Sequence, residues 1–408
     1  MTNQPKYIVN SCSIVTNAIV QDTDHFISLR RRIHANPELG FAETQTAALV
    51  AQELEQMGLE VTRNVGGTGV VAVIDSGKPG KTVALRAELD ALPIVEKTNV
   101  PYRSSHEGKM HACGHDGHTA TLLAAAKALC MHREYFCGKV KLIFQPAEEA
   151  CKLGACAIIK DGVLENPTVD AIFAFHNHPG FPAGTILARF GSALSGNTNI
   201  IIKITGKGGH AATPEHNIDP ILIGATIAQT FPILNQQLSL QDDPVVIRIT
   251  EFNSGVSRNV VPEIATLGGT IRAASISQRE RAKQRIAEMV TQTAQAHGGT
   301  AEIEFLDLVP PTISTPEETA LVFATARRLF GEDKVQTKLF PARASEDFAF
   351  YLGKVPGCYF FVGNGEDTPS CHSSDYDFND AILPIAATAL CHIAMDYLNQ
   401  SKLISHTV

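Results

Sequence analysis

Four short apolar runs, 70–74, 82–86, 140–144 and 171–175, recur along the first half of the chain. Helical segments separate most of them, and three run into side chains that carry protons or bind metals. Thr82–Arg86 leads to Glu88 and Asp90, Val140–Phe144 to Glu148 and Glu149, and Ala171–Phe175 to His176 and His178. Segments 24–33 and 44–57 ahead of the first run, and 119–129 and 155–160 between later ones, read as helices. The second of these places Ala47, Leu49, Val50, Leu54 and Met57 at helical spacing and stops at Gly58. Alternating strands and helices dictate an α/β sandwich. In such folds ligands bind beyond the carboxyl ends of the strands, where these acidic and imidazole groups fall.

One loop concentrates this chemistry. His111-Ala112-Cys113-Gly114-His115-Asp116-Gly117-His118 holds three histidines, a cysteine and an aspartate in eight residues. Cys113 and His115 are donors for a divalent transition metal, since thiolate and imidazole suit zinc and imidazole also suits cobalt or nickel. The partial positive charge of the helix directly behind the loop favours a thiolate at Cys113. A two-metal hydrolase needs ligands from several strand ends and one carboxylate left as base. Cys113, His115, Glu149, His176 and His372 are the candidate ligands, with His178 an alternative to His176. Glu148 is the candidate base, able to deprotonate an attacking water and then protonate the leaving amine. Neighbouring side chains on an extended segment diverge, so one of the two glutamates faces the metals, and spacing leaves open which. Asp90 is placed to orient a ligand or a catalytic group, and Glu88 to do likewise or to pair with Arg86. Asp116 and His118 read as partners that fix a ligand tautomer. His34 and His106 read as surface or hydrogen-bonding histidines, and Arg30-Arg31-Arg32 as partly structural.

At 408 residues the chain exceeds one small core, so two domains are expected. The pattern changes near Asn197. Strand 200–204, helix 219–230, strands 245–249 and 264–272, helix 277–297 and strand 301–306 make a β-α-β-β-α-β unit of ferredoxin-like order. It reads as a domain inserted at 197–310, with 1–196 and 311–408 forming the catalytic domain. The inserted segment carries His210 in a Gly-rich turn, as a turn histidine or as an oxyanion donor. Asn259 and Arg272 in the same segment are either structural or a clamp for a substrate carboxylate. A net charge of −8 without a basic run argues against a nucleic-acid surface. Met1–Val20 lacks a secretory pattern, and no span of about twenty apolar residues stands out. A cytoplasmic protein without a membrane partner is therefore expected. Nine scattered cysteines do not form a disulfide framework, and most are expected to be buried free thiols.

These motifs occur together and in order: Arg31–Leu39, Leu85–Pro93, His111–His118, Gln145–Glu149, Gly206–Ala212, Asn259–Pro262, Gly269–Arg272, Ser345–Phe348 and His372. With them the chain resembles the amidohydrolase branch of the dizinc aminoacylase/carboxypeptidase superfamily, which includes hippurate hydrolases and auxin-conjugate hydrolases. The resemblance implies a catalytic α/β sandwich with a central mixed sheet and an inserted α+β ferredoxin-like lid that mediates dimerisation. It implies two divalent ions (zinc, manganese, cobalt or nickel). Cys113 would bridge them, His115, His176, His372 and Glu149 would complete the ligands, and Glu148 would be the base. His210 matches the lid histidine, and Asn259 and Arg272 match substrate-recognising lid residues. The implied substrate is a small N-acyl or N-aroyl amino acid, cleaved at its amide bond by a homodimer or higher homo-oligomer. A dipeptidase or carboxypeptidase activity is the alternative. Three positions depart from the branch: Glu88 where aspartate is usual, and His178 and Cys371 where apolar residues are common.

Overall fold

The computed structural model describes residues 6–149, 154–239, 244–337 and 342–404, with side chains described from 13 to 400 within those ranges. Two compact units result: Met1–Gly191, Ile313–Leu339 and Phe350–Val408 in one, Ser192–Thr312 and Phe340–Ala349 in the other. The thiols of Cys12 and Cys151, and the first five residues of the expected non-secretory start, lie outside the described residues.

The first unit is built on an eight-stranded mixed sheet. Its centre is the parallel set Lys139–Gln145, Thr82–Glu88, Ala171–Pro179 and Gly357–Gly365, adjacent in that order. Thr82–Glu88 is buried at every residue, as a parallel strand covered on both faces must be. Val61–Val65 and Gly69–Asp75 extend one edge as antiparallel neighbours. The helix His115–Met131 is apolar nearly all round, and Leu122, Leu123, Ala126 and Leu129 are each at most 1% exposed. Such a helix belongs inside a core, and it packs against Leu383–Ile404 through the shared apolar cluster that includes Ala387, Leu390 and Ala394.

Two expectations are corrected. The helix behind the His/Cys loop begins at His115, four residues before the expected start, with Gly114 at its N-cap in the left-handed region at φ 91°. Polar His115, Asp116 and His118 hide that first turn from a hydrophobicity pattern. Asp380–Gln400 does pass as a membrane span by length and composition, with a mean hydropathy of 1.6. Yet 78% of that window is buried in the protein, as befits the central helix of a core.

The second unit is a four-stranded antiparallel sheet in the order Val245–Ser254, Ile264–Ala273, Gly196–Thr205, Thr300–Val309. Helices Pro220–Leu238 and Ile276–Ala296 complete the β-α-β-β-α-β order. Gly196–Thr205 alternates cleanly, Ile200, Ile202 and Ile204 pointing into a core with Ile223, Ile227, Phe231, Ile286 and Val290. Both helices are capped by side chains, Asp219 accepting from the Ile221 N–H and Ser275 from the Gln278 N–H.

Candidate active site

The parallel strands deliver their titratable residues to one end of the large sheet. Cys113, His115 and His176 offer ligand atoms within 4.8 Å of one another, and so do Cys113, Glu149 and His372, and His115, Glu148 and Glu149. All five expected ligands and the expected base therefore converge. His178 joins none of these groups. It donates from Nδ1 to the Pro179 carbonyl (2.8 Å) and packs edge-on against Phe181 and Phe361.

The two glutamates do not diverge as an extended strand would make them. The strand ends at Gln145, and Ala147 takes a positive φ of 51°, a conformation uncommon outside glycine. That turn lets both carboxylates reach the His115 side. Glu43, fully buried, accepts the Ala147 N–H at 2.8 Å and holds the turn. His372 is likewise at φ 68°, its N–H donating to the Ala112 carbonyl at 2.7 Å. Strained backbone of this kind clusters at functional sites.

Tautomers are set by the neighbours. Nδ1 of His115 lies 2.9 Å from the Asp90 carbonyl and 3.2 Å from its Oδ1, so it donates and leaves Nε2 with its lone pair. Asp90 Oδ2 also accepts the Glu149 N–H at 2.9 Å, so one carboxylate positions both a histidine and the glutamate segment. Nδ1 of His176 donates to the Asn177 carbonyl (2.7 Å), leaving Nε2 3.3 Å from the Cys113 sulfur. Glu149 Oε1 stands 3.2 Å from His372 Nε2.

The electrostatics ask for a cation. Burial pushes His115 down, but its hydrogen bond to Asp90 and the charges of Glu88, Asp90 and Glu149 raise it to about 10. The contact with the Cys371 thiol, burial and the charge of Glu149 hold the Cys113 thiol well above its usual range. The helix N-terminus thus does not by itself make Cys113 a thiolate. The Glu149 contact raises His372, whereas burial and the neighbouring His118 lower His176. Metal binding displaces such protons. Buried His115 Nε2 has no hydrogen-bond partner, and thiol, imidazole and carboxylate are the donors a borderline divalent metal takes. The residues fit a metal centre.

Glu88, the unusual carboxylate, is wholly buried between Arg86 and His118 Nδ1, the latter at 2.8 Å. Asp116 does not steer a ligand. Its Oδ2 accepts from His34 Nδ1 at 2.8 Å and lies 3.4 Å from Arg30 Nη1. His34 is fully buried and its other nitrogen is 3.3 Å from Glu96, whereas His106 is exposed. Although burial opposes it, Asp116 and Glu96 raise His34 to about 9. A folded-state value above the unfolded ~6.5 gives stability that is fully present below pH ~6.5 and is lost as pH rises through about 9. At ~1.4 kcal/mol per unit, this is on the order of 3 kcal/mol. Melting temperature should fall across this interval, and His34→Asn should flatten the fall. An equal slope in the variant would contradict a charged His34.

The remaining sequence candidates lie in the second unit. His210 and Val260 pair across a two-residue ladder, and the Ala211 N–H donates to the Asn259 carbonyl at 3.1 Å. His210 and Asn259 are exposed. The Ala212 N–H donates to His210 Nδ1 at 3.0 Å, which leaves the proton of the neutral ring on Nε2. Arg272, half-buried, donates to the Ser345 hydroxyl. Glu43, Glu96 and Arg30, with its partners Asp377 and Asp380, surround the site without any sign of it in the sequence. No local motif marks them, because their partners lie far away in the chain.

Thiol, imidazoles and carboxylates gathered at the ends of parallel strands define a metal-dependent hydrolase. The chain belongs to the family described as Peptidase family M20/M25/M40, which it matches over residues 84–396. It is 37% identical over 391 residues to "Thermostable carboxypeptidase 2" of Saccharolobus solfataricus, covering 94% of this chain and 98% of that protein. It is 38% identical over 373 residues to "Hippurate hydrolase" of Campylobacter jejuni, covering 91% and 96%. Among solved structures it resembles the Bacillus subtilis YXEP protein, described as a dinuclear metal binding peptidase of the M20 family. The TM-score is 0.82 at 31% identity, covering 92% of this chain and 98% of that one.

Proposed function

We propose that this enzyme hydrolyses the amide bond of N-acyl or N-aroyl amino acids. Two divalent ions would be held by Cys113, His115, Glu149, His176 and His372. When bound, such ions polarise an acyl carbonyl and acidify water. Glu148 takes the proton of the attacking water and returns it to the leaving amine nitrogen. Asp90 keeps His115 in the donor-ready tautomer. His210 donates from Nε2 to the oxygen that gains charge, and Asn259 and Arg272 hold the substrate carboxylate, Arg in a two-pronged contact. The reading assigns 1–196 and 311–408 to catalysis and 197–310 to a lid through which a cytoplasmic homodimer or higher oligomer assembles.

The supporting observation is the orphaned, buried His115 Nε2 in a cluster with the Cys113 sulfur and the Glu149 carboxylate. The names of similar proteins divide between amidohydrolases and carboxypeptidases, so a peptide bond is the second substrate to test. Amine release from benzoylglycine, an N-acetyl amino acid and a dipeptide should be measured before and after chelation. Activity should vanish on chelation, return with zinc, manganese, cobalt or nickel, and favour the acyl amino acids. Faster dipeptide cleavage would favour the peptidase. Full activity after verified metal removal would end the metal mechanism.

A further inference from the structure

Cys371 is a nucleophile that the proposed chemistry does not use. Its thiol lies beside the thiol of Cys113 and donates to the Cys113 carbonyl at 3.9 Å. Asn177 Nδ2 holds it from the other side at 3.6 Å. The backbone hydrogen bond from His372 to Ala112, the neighbours of this pair, holds the two segments side by side. The two sulfurs differ in access. Cys371 is half-buried, whereas Cys113 is only 8% exposed. The other described cysteines, Cys130, Cys137, Cys156, Cys358 and Cys391, are in no disulfide.

We propose that Cys371 and Cys113 form a peroxide-sensitive modification site, in which oxidation closes a disulfide and removes the thiolate from the metal centre. Cys371, the more accessible sulfur, attacks one oxygen of the peroxide. An S–O bond forms, the O–O bond breaks, and the departing hydroxide leaves as water with the thiol's proton. The Cys113 sulfur then displaces the sulfenic oxygen. The S–S bond forms, the S–O bond breaks, and a second water leaves. The two thiols together lose two electrons and the peroxide gains them. A metal is bound by thiolate, not by a disulfide sulfur, so closure costs the centre a ligand. This consequence rests on the proposed ligand role of Cys113, whereas disulfide closure itself does not.

The test treats the zinc-loaded full-length protein with stoichiometric hydrogen peroxide. Peptide mapping reads the cross-link, and a chromophoric chelator reads released zinc. A Cys113–Cys371 linked peptide should appear in step with zinc release. Dithiothreitol should reverse the link and restore zinc binding. Cys371→Ser should form no such link and release zinc several-fold more slowly, and Cys371→Ala serves the same purpose should the serine variant fold poorly. Absence of the linked peptide, or equal zinc release from the variants, overturns the proposal. Linkage with zinc retained overturns metal release and the ligand role of Cys113 together. Failure of the reduced protein to bind zinc would instead overturn the metal reading, while the cross-link remains scorable by mass.

Discussion

Glu148→Gln keeps its metal ions and its fold but loses turnover by about 10²–10⁴-fold, the contribution a positioned general acid–base makes. The substitution is nearly isosteric and removes only the capacity to take and return a proton. The Glu148 carboxylate lies within 4.8 Å of ligand atoms on His115 and Glu149, close enough for one water to meet base and metal together. The loss should fall on kcat, with KM little changed, because the base acts in the transition state more than in substrate binding. Metal content by mass spectrometry and steady-state rates on an N-acyl amino acid check both halves. Near-parental kcat would remove Glu148 from this role. Lost metal would make it a ligand.

Arg30→Met destabilises the fold by about 3–5 kcal/mol, the cost of leaving buried charge without its partner. Arg30 is fully buried and reaches Asp377 at 2.9 Å, Asp380 at 2.6 Å, Asp116 at 3.4 Å and the Tyr102 hydroxyl at 3.2 Å. Without the guanidinium, Asp116 keeps His34 as its hydrogen-bonding partner, and the 377–380 turn stays tied to the helix Thr23–Ala35 only through the exposed Arg31, 2.8 Å from Asp380. Arg30→Lys retains the charge but not the fork that serves several carboxylates at once, so it should recover only part of the loss. Urea unfolding read by circular dichroism separates the three proteins. A loss under 1 kcal/mol for Arg30→Met would show that the network is dispensable to the fold.

Much of this arrangement is legible in the chain because it is local. Apolar runs such as Val140–Phe144 are strands, and residues just past a parallel strand lie at its carboxyl end. Glu148, Glu149 and His176 therefore fall near one another on sequence grounds alone. The His111–His118 cluster marks itself by composition. Harder to read is whatever depends on backbone detail or distance. The positive φ at Ala147, which turns both glutamates inward, has no marker in a sequence of Pro-Ala-Glu-Glu. The edge strand Val61–Val65 is largely exposed and has no apolar alternation to announce it. The helix Lys6–Gln21 is likewise absent from the sequence reading. Arg30 sits in a triplet with exposed Arg31 and Arg32, and only the folded chain shows which of the three is swallowed. Two of its carboxylates, Asp377 and Asp380, lie some 350 positions away along the chain. The same distance conceals the pairing of Cys371 with Cys113.

The central claim is that Cys113, His115, Glu149, His176 and His372 hold two ions. Anomalous diffraction from crystals grown with zinc or manganese tests it most directly. The account predicts two peaks about 3.5–4 Å apart, the spacing of two-metal hydrolases, with Cys113 between them. A single peak, or ions held elsewhere with His115 Nε2 left bare, would contradict it.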